Sequence, residues 1–171
     1  MAGYIERFFK PPADSFFIFG PRGTGKSTWL RKTYPDAYMI DLLDDTTYRN
    51  YISHPDRLKQ IVQANPLTKR YIIDEIQKAP LLLDSIHSLI EEYKALQFVL
   101  TGSSARKIRG GGAKNLLAGR AILTQFHPFM AAELDGRSSL DTALKNGLIP
   151  LVIAAKEPAK TLATYIALYM K

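Results

Sequence analysis

The chain has 171 residues, enough for one domain with its own core, and its apolar fraction of 46% beside 23% charged residues excludes a disordered polymer. It contains no cysteine, so disulfides and thiolate metal centres are excluded and a cytoplasmic setting is expected. The net charge of +7 comes largely from one stretch between Tyr93 and Ala132, where no Asp or Glu occurs while Lys94, Arg106, Lys107, Arg109, Lys114 and Arg120 do.

Such a stretch can be a solvated basic face, an attractor of nucleic acid, or a lining for a bound polyanion. No aromatic residue interleaves with it from Ser103 to Arg120, so nucleic acid is not directly supported as a ligand. No membrane segment is expected either. Met1 to Lys10 lacks an apolar signal core, and the run Leu148 to Ala155 is short and holds a proline.

In chain order, Ser15-Phe16-Phe17-Ile18-Phe19 reads as a buried strand ending in glycine, and Lys26 to Tyr34 as a helix stopped by Pro35. Ala37 to Leu42 is a second strand. Asp44 to Asn65 is helical in two pieces broken near Pro55, and Arg70 to Asp74 is a third strand. Pro80 opens a helix to Lys94 with Leu82, Leu83, Ile86, Leu89, Ile90 and Tyr93 on its buried stripe and His87 on the solvated side. Gln97 to Thr101 and Ala121 to Phe126 are the fourth and fifth strands. Apolar strands alternating with helices indicate a parallel α/β sheet covered on both faces. Residues 1–136 form this core. Residues 137–171 are a helical C-terminal extension in which Pro158 opens an amphipathic helix carrying Leu162, Tyr165, Ile166 and Tyr169. That apolar stripe reads as the start of a C-terminal domain cut away here.

Between the first strand and first helix lies Gly20-Pro21-Arg22-Gly23-Thr24-Gly25-Lys26-Ser27, a Gly-x-x-x-x-Gly-Lys-Ser loop. Its glycines let successive backbone amides converge on an anion, and the helix dipole adds to their pull. Lys26 is expected to reach the β- and γ-phosphates of a nucleoside triphosphate, ATP ahead of GTP, and Ser27 to ligate magnesium. Arg22 either steadies the loop by pairing with an acid or touches phosphate, the structural role being favoured. Thr28 continues the helix beside the site as a packing residue.

Asp74 and Glu75 end the third strand, at the carboxyl edge where open parallel sheets bind ligands. Asp74 is expected to hold magnesium through water and Glu75 to polarise the attacking water. A catalytic glutamate at that point goes with the strand order 5-1-4-3-2, which sets the end of the Gln97 strand against the γ-phosphate. There Thr101-Gly102-Ser103-Ser104 offers hydroxyls. Ser103 is the favoured γ-phosphate sensor and Thr101 the second, while Ser104 also suits a helix cap. Arg106 and Arg120 are the candidate arginines for the transition state, in their own subunit or a neighbour's.

Five motifs in order, namely the phosphate loop, Asp74-Glu75-Ile76-Gln77, Leu100-Thr101-Gly102-Ser103-Ser104, Leu116-Leu117-Ala118-Gly119-Arg120, and His127-Pro128-Phe129 with Glu133-Leu134, resemble the AAA-type P-loop ATPase core of prokaryotic ATP-binding proteins that carry a C-terminal domain of unknown function. The resemblance spans about Phe17 to Lys171. It implies ATP with Mg2+, Asp74-Glu75 as magnesium and water residues, and Arg120 as a nucleotide or subunit-contact arginine. The expected function is magnesium-dependent ATP hydrolysis that switches a partner, an appended effector domain or a homo-oligomer. The alternatives are an ATP-binding switch with negligible turnover, and a small-molecule or nucleotide kinase with Arg106, Lys107 and Arg109 as its lid. A GTPase is disfavoured because no Asn-Lys-x-Asp sequence occurs.

Overall fold

The computed structural model describes residues 3–103 and 117–169. Five strands, β1 (Phe16–Phe19), β2 (Tyr38–Asp41), β3 (Arg70–Asp74), β4 (Gln97–Gly102) and β5 (Ile122–Gln125), pair in parallel throughout one sheet. Their order is β2-β3-β4-β1-β5, the expected 5-1-4-3-2 arrangement seen from the other edge. β4 therefore lies between the strand that feeds the phosphate loop and the strand that ends in the acidic pair.

The helices are α1 (Lys26–Thr33), α2 (Asp45–Ser53), α3 (Arg57–Ala64), α4 (Leu82–Glu92), α5 (Ala131–Leu134), α6 (Leu140–Asn146), α7 (Pro150–Ile153) and α8 (Pro158–Tyr169). The Asp44 carboxylate accepts from the Thr47 amide at 2.7 Å, which caps α2, and the break between α2 and α3 falls at Pro55 as expected. Pro80 sits in a turn just ahead of α4, its carbonyl accepting from the Leu83 amide at 3.0 Å.

Strand alternation divides the core in two. Phe17, Phe19, Tyr71, Ile73, Phe98 and Leu100 point to the face covered by α3 and α4, with Leu58, Val62, Leu82, Ile86 and Leu89 packed there. Phe16, Ile18, Ile72 and Val99 point to the other face, against Trp29, Leu30 and Phe126. Coverage on both faces holds for β1, β3 and β4. It fails for β5, where Ile122 and Leu123 remain 45% and 46% exposed. A strand at the sheet's border has a neighbour on one side only, so covering helices need not reach over it. The stripe expected on α8 is likewise not sunk into a core: no residue of that helix is buried, and Leu168 is 78% exposed.

Candidate nucleotide site

β1 delivers the chain to the carboxyl edge of the sheet, where the phosphate loop turns it into α1. Gly25 makes the turn at φ 86°, in the left-handed region that a side chain would strain, and its carbonyl accepts the Trp29 amide of the first helical turn at 2.9 Å. The Thr24 hydroxyl donates to the Pro21 carbonyl at 2.9 Å and pins the loop on itself. Lys26 folds back over it, its ammonium donating to the carbonyls of Gly20 at 2.7 Å and Pro21 at 3.0 Å.

Burial pushes the Lys26 ammonium below the ordinary lysine range, against the smaller upward pull of the Glu75 and then the Asp74 charge. Phosphates arriving beside it would raise it again. ATP binding in alkali just below the ordinary lysine value of about 10.4 is therefore expected to take up protons. Calorimetry in two buffers of different ionisation enthalpy reads this directly, and the uptake should vanish in Lys26→Met.

The third-strand acids meet the loop because β4 spaces them correctly. Asp74, 2% exposed, accepts from the Ser27 hydroxyl at 2.6 Å on one oxygen and from the Thr101 hydroxyl on the other. The same Thr101 oxygen accepts from the Glu75 amide at 3.0 Å. One buried threonine thus fixes both the Asp74 carboxylate and the point where the chain leaves β3. Glu75 itself takes φ 61°, a left-handed conformation for a residue with a full side chain, and its carboxylate accepts from the Gln77 amide. Strained backbone of this kind persists only where neighbouring contacts enforce it.

The two candidate hydroxyls stand in different places. Thr101, the second choice, is the one joined to Asp74, while Ser103 lies two residues on, beyond the end of β4 and half-buried. Arg120 does not join its own chain's site. It lies just ahead of β5, near the amino ends of the strands, and its Nε donates to Glu91 at 2.5 Å. Lys94 and Arg120 together hold that exposed Glu91 carboxyl down at about 2. Arg106, Lys107, Arg109, Lys114 and Ser104 fall outside the described residues. Arg22 is exposed and makes no ion pair among the described residues; its carbonyl instead accepts from the Tyr165 hydroxyl at 3.1 Å. Thr28 is exposed as well, so it is a lining residue of the neighbouring cavity and not a packing residue.

Two parts of the site are invisible in the motifs. The first is an amino-terminal strap. Arg7, with its side chain only 7% exposed, pairs with Glu133 at 3.1 Å and donates to the carbonyls of Thr24 at 2.9 Å and His127 at 2.6 Å, lying over the Phe126 and Phe129 rings. Glu133 also accepts from the Phe8 amide at 2.6 Å and the Met130 amide at 2.9 Å. This explains the His127-Pro128-Phe129 and Glu133 motif as the socket of a buried arginine that braces the phosphate loop. The second is the C-terminal extension. The Leu151 amide donates to the Gly23 carbonyl at 3.2 Å, and a Cβ on Gly23 would stand 2.8 Å from that of Leu151. Between strap and extension, beside Gly25 and Thr28, opens a cavity of about 290 Å³ walled by Tyr4, Ile5, Phe129, Ile153 and Ala154.

No group of three His, Asp or Glu side chains that could hold a metal occurs among the described residues. What the loop offers a cation is one hydroxyl and one carboxylate, Ser27 and Asp74, already in contact. Such a sparse oxygen set suits magnesium, which keeps several waters and takes further ligands from phosphate.

Comparison with curated proteins gives no match. Among solved structures the chain is similar to the Aeropyrum pernix ORC2 protein in its ADPNP-ADP complexes, at 16% identity and a TM-score of 0.49 over 71% of this chain and 44% of that one. It is similar to the replication initiator DnaA bound to AMPPCP and single-stranded DNA, at 14% identity and 0.49 over 91% and 56%. The Aeropyrum pernix ORC1 protein in complex with DNA gives 14% and 0.49 over 92% and 54%. The chain spans about half the length of these proteins. A family model described as an AAA domain matches residues 13–134. That match takes in every strand of the parallel sheet, the phosphate loop and the Asp74-Glu75 pair, and the chain belongs to the AAA domain family.

Proposed function

We propose that the chain binds ATP with magnesium at the phosphate loop and hydrolyses it, using the cycle to change the posture of its C-terminal extension and of whatever partner or appended domain that extension meets. The observation that carries this reading is the convergence of Lys26, Ser27, Asp74, Thr101 and Glu75 on one edge of the sheet. The loop amides and the Lys26 ammonium grip the β- and γ-phosphates, and the cavity walled by Tyr4, Ile5 and Ile153 receives the base. Ser27 and Asp74 would hold magnesium, which supplies charge neutralisation on the phosphate oxygens when bound. Glu75 takes a proton from the water that attacks the γ-phosphorus while the bond to the bridging oxygen breaks and ADP leaves, and Thr101 keeps the two acids in register. Leu151 and Tyr165 touch the backbone of Gly23 and Arg22, so a loop that shifts on phosphate release has a direct handle on the extension. Arg120, held at the far end of the strands, is available only to a nucleotide on another copy of the chain.

The test is phosphate release by the purified chain with ATP and magnesium. Glu75→Gln is expected to lower it by about a hundredfold while ATP still binds. Equal rates in wild type and Glu75→Gln would overturn the hydrolytic reading. ATP binding with no release by the wild type would leave a switch without turnover, and phosphate found on an added acceptor would make the chain a kinase.

A further inference from the structure

Gln77 stands in the same short motif as the acidic pair, and its side chain is the one that meets the Glu75 carboxylate. It belongs to the single 3-10 turn Ile76–Lys78 that follows Glu75. Its Nε2 donates to Glu75 Oε2, and its Oε1 is buried with no hydrogen-bond donor among the described residues. The same Oε1 lies against Gly102, where an added Cβ would come within 2.6 Å of it and within 3.0 Å of the Phe19 ring. Gly102 in turn accepts from the Gly20 amide at 3.2 Å, so the Gln77 amide lies against the residue of β4 that holds the start of the phosphate loop.

We propose that Gln77 is a positioning residue for hydrolysis: its amide holds the Glu75 carboxylate away from Lys26 and keeps it where a water would be deprotonated. This rests on Glu75 being the water-activating acid. The physical need is plain. The Glu75 and Asp74 charges both pull on the buried Lys26 ammonium. A loose carboxylate there collapses onto the ammonium, occupies the space of the γ-phosphate and spends the lysine's charge. In the structure Lys26 turns to the Gly20 and Pro21 carbonyls instead, and Glu75 is held by Gln77 on its side chain and by Thr101 on its backbone. A bond from an amide to a carboxylate is roughly twice as strong as one between neutral groups. A threonine or serine at position 77 is too short to make this bond, and a β-carbon at 102 pushes the amide off its seat.

Two variants approach the amide from opposite sides. Gln77→Met keeps the volume and removes the donor; Gly102→Ala leaves the amide intact and displaces it. Each is expected to lower kcat for ATP hydrolysis by tenfold or more, with the ATP dissociation constant changed by less than about threefold and the far-UV circular dichroism of wild type. Combined with Glu75→Gln, Gln77→Met should cost less than about a further twofold, because Gln77 acts through that carboxylate. Wild-type kcat in Gln77→Met, or full additivity with Glu75→Gln, overturns the role of Gln77 while leaving the hydrolytic reading in place. Absence of any Glu75-dependent phosphate release from wild type overturns both. Should Gln77→Met fail to fold, Gly102→Ala judged on the same kcat and affinity measurements decides alone.

Discussion

Lys26→Ala is expected to weaken ATP binding by roughly a hundredfold, about 3 kcal/mol, while moving the melting temperature by only a few degrees. The large term is the loss of an ammonium from a loop whose remaining grip on the phosphates is backbone amides. The small one comes from two opposing effects in the empty protein. Removing Lys26 strips the Gly20 and Pro21 carbonyls of a donor, but it also relieves a charge held largely out of water. The second effect depends on pH with a definite sign. Because burial lowers the folded-state value, the charged lysine costs stability that is fully present below that value and disappears as pH rises past the ordinary one. The variant should therefore compare best with wild type at neutral pH and lose that advantage in alkali. Isothermal calorimetry and paired thermal melts measure both. Wild-type affinity for ATP in Lys26→Ala would remove the loop from the site.

Arg7→Met is expected to cost about 3–5 kcal/mol of stability, which for a chain of this size lowers the melting temperature by roughly 6–20 °C. Arg7 and Glu133 are both nearly inaccessible, with side chains 7% and 2% exposed, and truncating one leaves the other charge buried. The Phe8 and Met130 amides still serve Glu133, which places the loss toward the lower part of that range. The carbonyls of Thr24 and His127 also lose their donor, so the phosphate loop loosens at its fifth residue. ATP affinity should fall in step, although Arg7 carries none of the phosphate-loop signature. A second replacement, Glu133→Leu on top of Arg7→Met, should recover part of the melting temperature, because it removes the orphaned charge. A melting temperature unchanged in Arg7→Met would show the strap to be ornamental.

Much of the fold was legible because its signals are local. Short apolar runs ending in glycine or acid, separated by proline-bounded helical periods, marked all five strands and α1 to α4 within a residue or two. The strand order also followed from the catalytic-glutamate reading: with Ala37 to Leu42 paired beyond the Asp74 strand, the Gln97 strand falls between that strand and the one feeding the loop. Burial at the sheet's border was not legible. Ile122 and Leu123 are as apolar as Ile72 and Val99, and only their place at the end of the order leaves them half in water. Among hydroxyls, Thr101 and Ser103 look alike as letters. The parallel register that sets Ile18 opposite Thr101 and Ile73 opposite Leu100 brings the first to Asp74 and carries the second past the strand's end.

What the amino-acid order determined by itself was the phosphate loop, its acidic counterpart and the layered parallel sheet between them, since each arises from residues close together along the chain or from a repeating period. Tertiary structure alone decided that Arg7 locks onto Glu133, that Arg120 stands at the opposite end of the strands, and that Leu151 and Tyr165 lie on the loop. Arg7 with Glu133, Leu151 with Gly23 and Tyr165 with Arg22 lie more than a hundred residues apart, Arg120 lies 29 from Glu91, and packing, which has no signature in sequence spacing, is what selects them.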